Sequence, residues 1–243
     1  MKKYKLTKET LQFAGRTLHR IKAVKDFDSI KAGEFGGWIE NEKNLSQDDN
    51  AWIYGNAMVF DNAEVYDNAK VYGNANVSGN AKVYGIANVF GNANVFGYAE
   101  VYGNANVFGY AEVYDNAKVY GNANVSGNAE VSGNANVSDY AKVYGNAVIK
   151  GDAKVHDAVG YIVFKNFWSS GRYFTWTSSN NKWSVGCFYG TGEELIKKAY
   201  ADSEKSGREY ERVVRYVESI LADEKKDEQL KESISLCFSD NVR

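Results

Sequence analysis

The chain has 243 residues, 44% of them hydrophobic, with 29 Lys and Arg against 31 Asp and Glu for a formal net charge of −2. This balance excludes a disordered chain and argues against a generic nucleic-acid binder, which would carry a large basic excess. By segment the net charge is +2 over residues 1–50, −4 over 51–158 and zero over 159–243, so no polybasic arm exists.

The chain opens Met1-Lys2-Lys3-Tyr4-Lys5 with no apolar stretch behind it, so neither a signal peptide nor a membrane span is expected. Gln12 to Leu18 reads as a hairpin turning at Ala14-Gly15, and Gly36-Gly37-Trp38-Ile39-Glu40 leads with irregular spacing toward Ala51. Residues 1–50 are therefore expected to form an N-terminal cap.

From Ala51 to Val155 the sequence repeats every six residues as Ala-x-Val-aromatic-Gly-Asn. All eighteen branched positions, Ile53 through Val155, are Val or Ile, and each is preceded two places earlier by alanine. Each is followed two places later by Gly or Asp. Period-two alternation sends Ala and Val to one side and x and the aromatic to the other. Gly or Asp followed by Asn supplies a corner tolerant of positive φ. A helix is excluded because six does not match a 3.6 period.

Reading the residue before each Val at eighteen-residue steps sorts the charges by face. One face runs Glu64, Lys82, Glu100, Lys118, Asn136, Lys154; a second runs Lys70, Asn88, Asn106, Asn124, Lys142; the third runs Met58, Asn76, Asn94, Glu112, Glu130, Val148, with no base. Three strands per coil are thus predicted. An antiparallel meander would leave exposed edges and would not sort the charges.

The segment 159–243 reads as a small α+β domain. Strands are predicted at Tyr161–Lys165, Arg172–Thr177 and Lys182–Phe188. A capping box at Thr191-Gly192-Glu193-Glu194 starts a helix that Ser206-Gly207 should stop, and a second helix begins at about Tyr210, fraying from Asp223 to Glu232. Cys187 and Cys237 read as reduced cytosolic thiols, Cys187 as a small buried hydrophobe.

The Val-x-Gly-Asn-Ala-x unit resembles the hexapeptide repeat of left-handed parallel β-helices. Thr17-Leu18-His19-Arg20-Ile21, Gly36-Gly37-Trp38-Ile39-Glu40 and Gly186-Cys187-Phe188-Tyr189-Gly190-Thr191-Gly192-Glu193-Glu194-Leu195 extend the likeness to both ends. Together they resemble hexapeptide-repeat proteins encoded in phages and prophages of Gram-positive bacteria. The fold expected is mainly β: a left-handed parallel β-helix of about six coils over 51–158, between the cap and the C-terminal domain. The resemblance implies a cytoplasmic setting in a bacterial host cell and a homo-oligomer, trimer or dimer.

Acyltransferases use the same prism, and their chemistry generally requires a histidine base. Here His19 lies in the cap and His156 in an outward position of the last coil, and both read as surface residues. No insertion interrupts the hexads, and no Ser-His-Asp set, phosphate loop, metal motif or cofactor site stands out. The rows of aromatics are the unusual feature, foremost Tyr66, Tyr84, Tyr102 and Tyr120 with Lys70 and Lys142 beside them. The expectation from the sequence is a non-catalytic protein that engages a host protein, a defence component being one case, through that face or the C-terminal domain. The alternatives are a hexapeptide-repeat acyltransferase and a self-assembling structural protein.

Overall fold

The computed structural model describes residues 2–239. The chain forms two units, residues 2–164 with 173–189 and residues 165–172 with 190–239.

The first unit starts with β1 (Tyr4–Phe13), β2 (Arg16–Ala23) and β3 (Phe35–Ile39), followed by eighteen two-residue strands, β4 (Trp52–Ile53) to β21 (Lys154–Val155). Each short strand is the x-Val pair of one hexad, and its neighbour lies eighteen residues on in parallel register, as Val89 beside Val107. Among the described residues these strands make three parallel stacks, one of which continues through β3 into the antiparallel β1–β2 hairpin. The result is a three-sided parallel solenoid.

It has about seven turns. The turn beyond the expected six comes from the cap, where Trp38 and Ile39 pair in parallel with Met58 and Val59, and Leu45 bridges to Val65. Twenty residues separate these partners instead of eighteen, so the hexad count does not register them.

Every repeat alanine and every repeat Val or Ile is buried along the axis. Main-chain N–H groups of each coil donate to carbonyls of the next, as Asn88 N to Ala105 O at 2.9 Å and Phe90 N to Val107 O at 2.9 Å. At the corners the residue after the aromatic turns left-handed, whether glycine (Gly91, φ 73°) or aspartate (Asp61, 59°; Asp115, 57°). The aspartates gain a use there. Asp61, Asp67 and Asp115 each accept the corner N–H of the coil above through Oδ2, from Gly79, Gly85 and Gly133 at 3.0–3.1 Å.

Both ends are closed by side chains, since unpaired backbone groups would otherwise invite edge pairing. At the start, Lys3 Nζ donates to the carbonyls of Asp48 (3.0 Å) and Ala51 (2.9 Å), and Asn44 Nδ2 donates to Ala63 O (2.9 Å). At the far end, Thr175 Oγ1 accepts from Val148 N (2.9 Å) and Ser179 Oγ from Lys154 N (2.7 Å). The hydroxyls of Tyr161 and Tyr189 donate to the carbonyls of Lys142 (2.9 Å) and Lys150 (3.0 Å). These groups sit on β22 (Tyr161–Lys165), β23 (Tyr173–Thr177), the turn after it, and β25 (Phe188–Gly190), which with β24 (Lys182–Val185) form a four-stranded sheet. The strand predicted over Lys182–Phe188 is split because Gly186 is left-handed (φ 56°).

Lys3 is buried beside the Phe27 ring. Burial pushes its ammonium down to about 8, ahead of the opposing pull of Asp49 and Asp48 and in the same sense as Lys25. An unfolded lysine titrates near 10.4, so between about pH 8 and 10 the unfolded chain holds the extra proton and folding gains stability as pH rises. The denaturation midpoint of the native sequence is expected to rise relative to that of Lys3→Met over this window. Parallel pH profiles for the two would contradict the assignment.

In the second unit, α1 (Gly192–Asp202) carries the expected capping box: Thr191 Oγ1 accepts from Glu194 N (3.3 Å) and Glu194 Oε2 accepts from Thr191 N (2.8 Å). The break falls at Ser203, and α2 runs from Glu204 to Ser239, past the stretch expected to fray. Ser203 ends α1 in extended conformation, and its Oγ accepts from Ser206 N (3.1 Å). Gly207 lies inside α2, where a Cβ would meet the Tyr200 ring at 2.2 Å. Leu195, Ile196 and Ala199 of α1 and Tyr210, Val214 and Val217 of α2 are buried. The side chain of Cys237 lies outside the described residues. No helix among the described residues is long and apolar enough to cross a membrane.

Candidate functional site

The aromatic position points outward, as alternation requires, and its rings stack on one another from coil to coil. Tyr66, Tyr84, Tyr102 and Tyr120 have successive centroid separations of 4.9, 4.9 and 5.0 Å with planes within 4°. Tyr72, Phe90 and Phe108 form a second column at 4.7 and 4.8 Å. Rings stacked this way spend their faces on each other and show solvent only their edges, so inside the column no face is free to stack on a base or sugar. Burial raises the ionisations of Tyr66, Tyr84 and Tyr102, and at Tyr84 a hydrogen bond to Glu100 (3.0 Å) adds to it.

Lys70 and Lys142 do not join that column. Both lie in the stack that begins at β4, the face of Tyr72 and Phe90, whereas Tyr66 to Tyr120 extend from the strands of the neighbouring face. Lys70 is held by Asp28 at 3.0 Å and Lys142 is exposed. Sequence order brought these residues close, since Lys70 comes four after Tyr66, but a corner intervenes.

The first column stops at Tyr120. One coil on, its position is Ser138, and one further it is His156. Ser138 is buried, with Oγ 2.9 Å from Asp139 Oδ2 and 2.6 Å from His156 Nδ1. Asp139 Oδ2 is also 3.3 Å from His156 Nδ1. The serine hydroxyl has one proton. With that proton on Asp139, Nδ1–H of the imidazole donates to Oγ, which assigns the Nδ1–H tautomer. Nε2 then keeps its lone pair, and no hydrogen bond reaches it among the described residues. The His156 side chain is 52% exposed.

Asp139 makes this a site and not merely a corner. Its backbone is left-handed like those of Asp61, Asp67 and Asp115 (φ 56°), yet its Oδ2 faces serine and histidine where theirs accept the next coil's N–H. Sequence reasoning had His156 in view and missed its partners. The available signal was the eighteen-residue column itself, where serine and then histidine replace tyrosine next to a corner aspartate.

The other histidine, His19, lies on β2 with Nδ1 3.4 Å from Thr7 O. Cys187 is exposed, correcting the buried position expected for it, because Gly186 turns the chain out of the strand. Among the described residues no group of three or more His, Cys, Asp or Glu is placed to hold a metal ion.

No protein-family model matches the chain. A protein of Escherichia coli (strain K12) named "Uncharacterized acetyltransferase YdcK" is 39% identical over 69 residues, covering 25% of this chain and 21% of that protein. The hexads of this chain wind as a three-sided parallel β-solenoid. The chain matches about a fifth of that relative's length. The likeness overturns the expectation of a non-catalytic, host-binding protein, because the protein matched is named for acetyl transfer. It favours the acyltransferase alternative instead.

Proposed function

We propose that this chain is a hexapeptide-repeat acyltransferase whose general base is Nε2 of His156. The observation that carries the reading is the occupied Nδ1 and bare Nε2 of that ring, with Asp139 turned from its usual corner duty to support it. The likeness to the acetyltransferase adds to it.

In the proposed step an acceptor hydroxyl or amine attacks the carbonyl carbon of an acyl thioester while Nε2 takes its proton. The new C–O or C–N bond forms, the C–S bond breaks, and the thiolate leaves with the proton returned by the imidazolium. Ser138 and Asp139 fix the ring's orientation, and the nearby carboxylate stabilises the imidazolium while it exists. The acyl donor is a substrate, so no resident cofactor is required.

The setting belongs to the same proposal: the cytoplasm of a bacterial cell, a homo-oligomer, and, from the resemblance, a phage or prophage gene. A thiol-trapping assay of the full chain with acetyl-coenzyme A and a panel of hydroxyl and amine acceptors tests the activity. Thiol release that requires His156 is expected; release no faster than with His156→Ala would overturn the reading.

A further inference from the structure

At the far end of the solenoid a cleft of about 440 Å³ opens beside the last coil, rimmed by Tyr144, Asn146, Ala158, Tyr161, Val163 and Tyr173. That volume is in the range of small-molecule sites. None of its lining residues is a Lys, Arg, His, Asp or Glu. Tyr144 is 64% exposed and the Tyr161 hydroxyl is already engaged by Lys142 O.

The ladder leaves a donor here. Along this corner Asn92 N donates to Gly109 O (2.7 Å), Tyr110 N to Gly127 O (2.8 Å) and Asn128 N to Gly145 O (2.7 Å). Asn146 comes next in the series, on the last coil, and its N–H has no hydrogen-bond partner among the described residues. By the direction of the series it aims along the axis, away from the coils and toward the cleft. One coil below, the equivalent of Tyr144 is Ser126, so the Tyr144 ring, unlike those inside the columns, has no ring stacked on the face toward that coil.

We propose that this cleft binds a neutral monosaccharide, one ring face against Tyr144 and one oxygen on Asn146 N–H. An uncharged lining fits this class. A phosphorylated or amino sugar would bring a charge that no lining side chain pairs, and an unpaired charge in a partly enclosed site is costly. Binding at this cleft does not depend on the acyltransferase reading.

The test is calorimetric or saturation-transfer titration of the full chain with N-acetylglucosamine, glucose and glucose 6-phosphate. Saturable binding of a neutral sugar, weakened at least tenfold by Tyr144→Ala and by Ala158→Arg but unchanged in His156→Ala, is the expected result. No saturable binding, binding indifferent to both cleft variants, or glucose 6-phosphate bound as tightly as glucose would overturn the proposal. Thiol release measured on the same preparations reports on His156 separately, so failure of the cleft and failure of the base are told apart.

Discussion

Replacing His156 by glutamine is expected to lower acyl transfer by about 10²- to 10⁴-fold, the usual contribution of a positioned general base. The far-ultraviolet circular dichroism and thermal midpoint should barely move, because the side chain is half exposed and its polar partners among the described residues are Ser138 and Asp139. Ser138→Ala and Asp139→Asn should each cost less, about tenfold, since they hold the ring without touching substrate. The pattern is diagnostic: loss of rate with an unchanged KM for the acyl donor, graded from His156 to its supports. A His156→Gln chain as fast as the native one would end the base assignment.

The largest effect on stability is expected at a corner. Gly91 is left-handed (φ 73°), and a Cβ there would lie 3.0 Å from Gly109 N. Gly91→Val combines that crowding with a conformation β-branched residues avoid, at a cost of about 2–3 kcal/mol. Gly91→Asp should cost under about 1 kcal/mol, because aspartate adopts this conformation at Asp61, Asp67 and Asp115 and recovers a hydrogen bond to the next coil. Equal denaturant midpoints for the two variants would show that corner geometry does not limit this solenoid.

The hexads made the solenoid legible because each one states its own geometry: a two-residue pair that buries Val, then a corner. The eighteen-residue closure was legible from charge, with Glu100 meeting Lys118 at 3.1 Å as the sorting implied. The extra turn was not, because Trp38–Met58 and Leu45–Val65 pair across twenty residues and no repeat marks them. Nor were Ser203 as the break between helices and Gly207 inside α2, since glycine's part there is to admit the Tyr200 ring, which composition cannot distinguish from a stop. At the site, the column Tyr120, Ser138, His156 was written in the sequence, but the turn of the Asp139 carboxylate to side chains was not, because it comes where the regular corners end. Lys70 and Lys142 misled for the opposite reason: proximity along the chain across a corner is not proximity on a face.

Long-range ¹H–¹⁵N correlation of the imidazole nitrogens, with His156 assigned by comparison with His156→Ala, decides whether that ring can serve as the base. At a pH where the ring is neutral, it should show the proton on Nδ1 and an unprotonated Nε2, and Asp139→Asn together with Ser138→Ala should erase that preference. A neutral ring protonated on Nε2 would be incompatible with the assignment, leaving no lone pair in place to accept a substrate's proton.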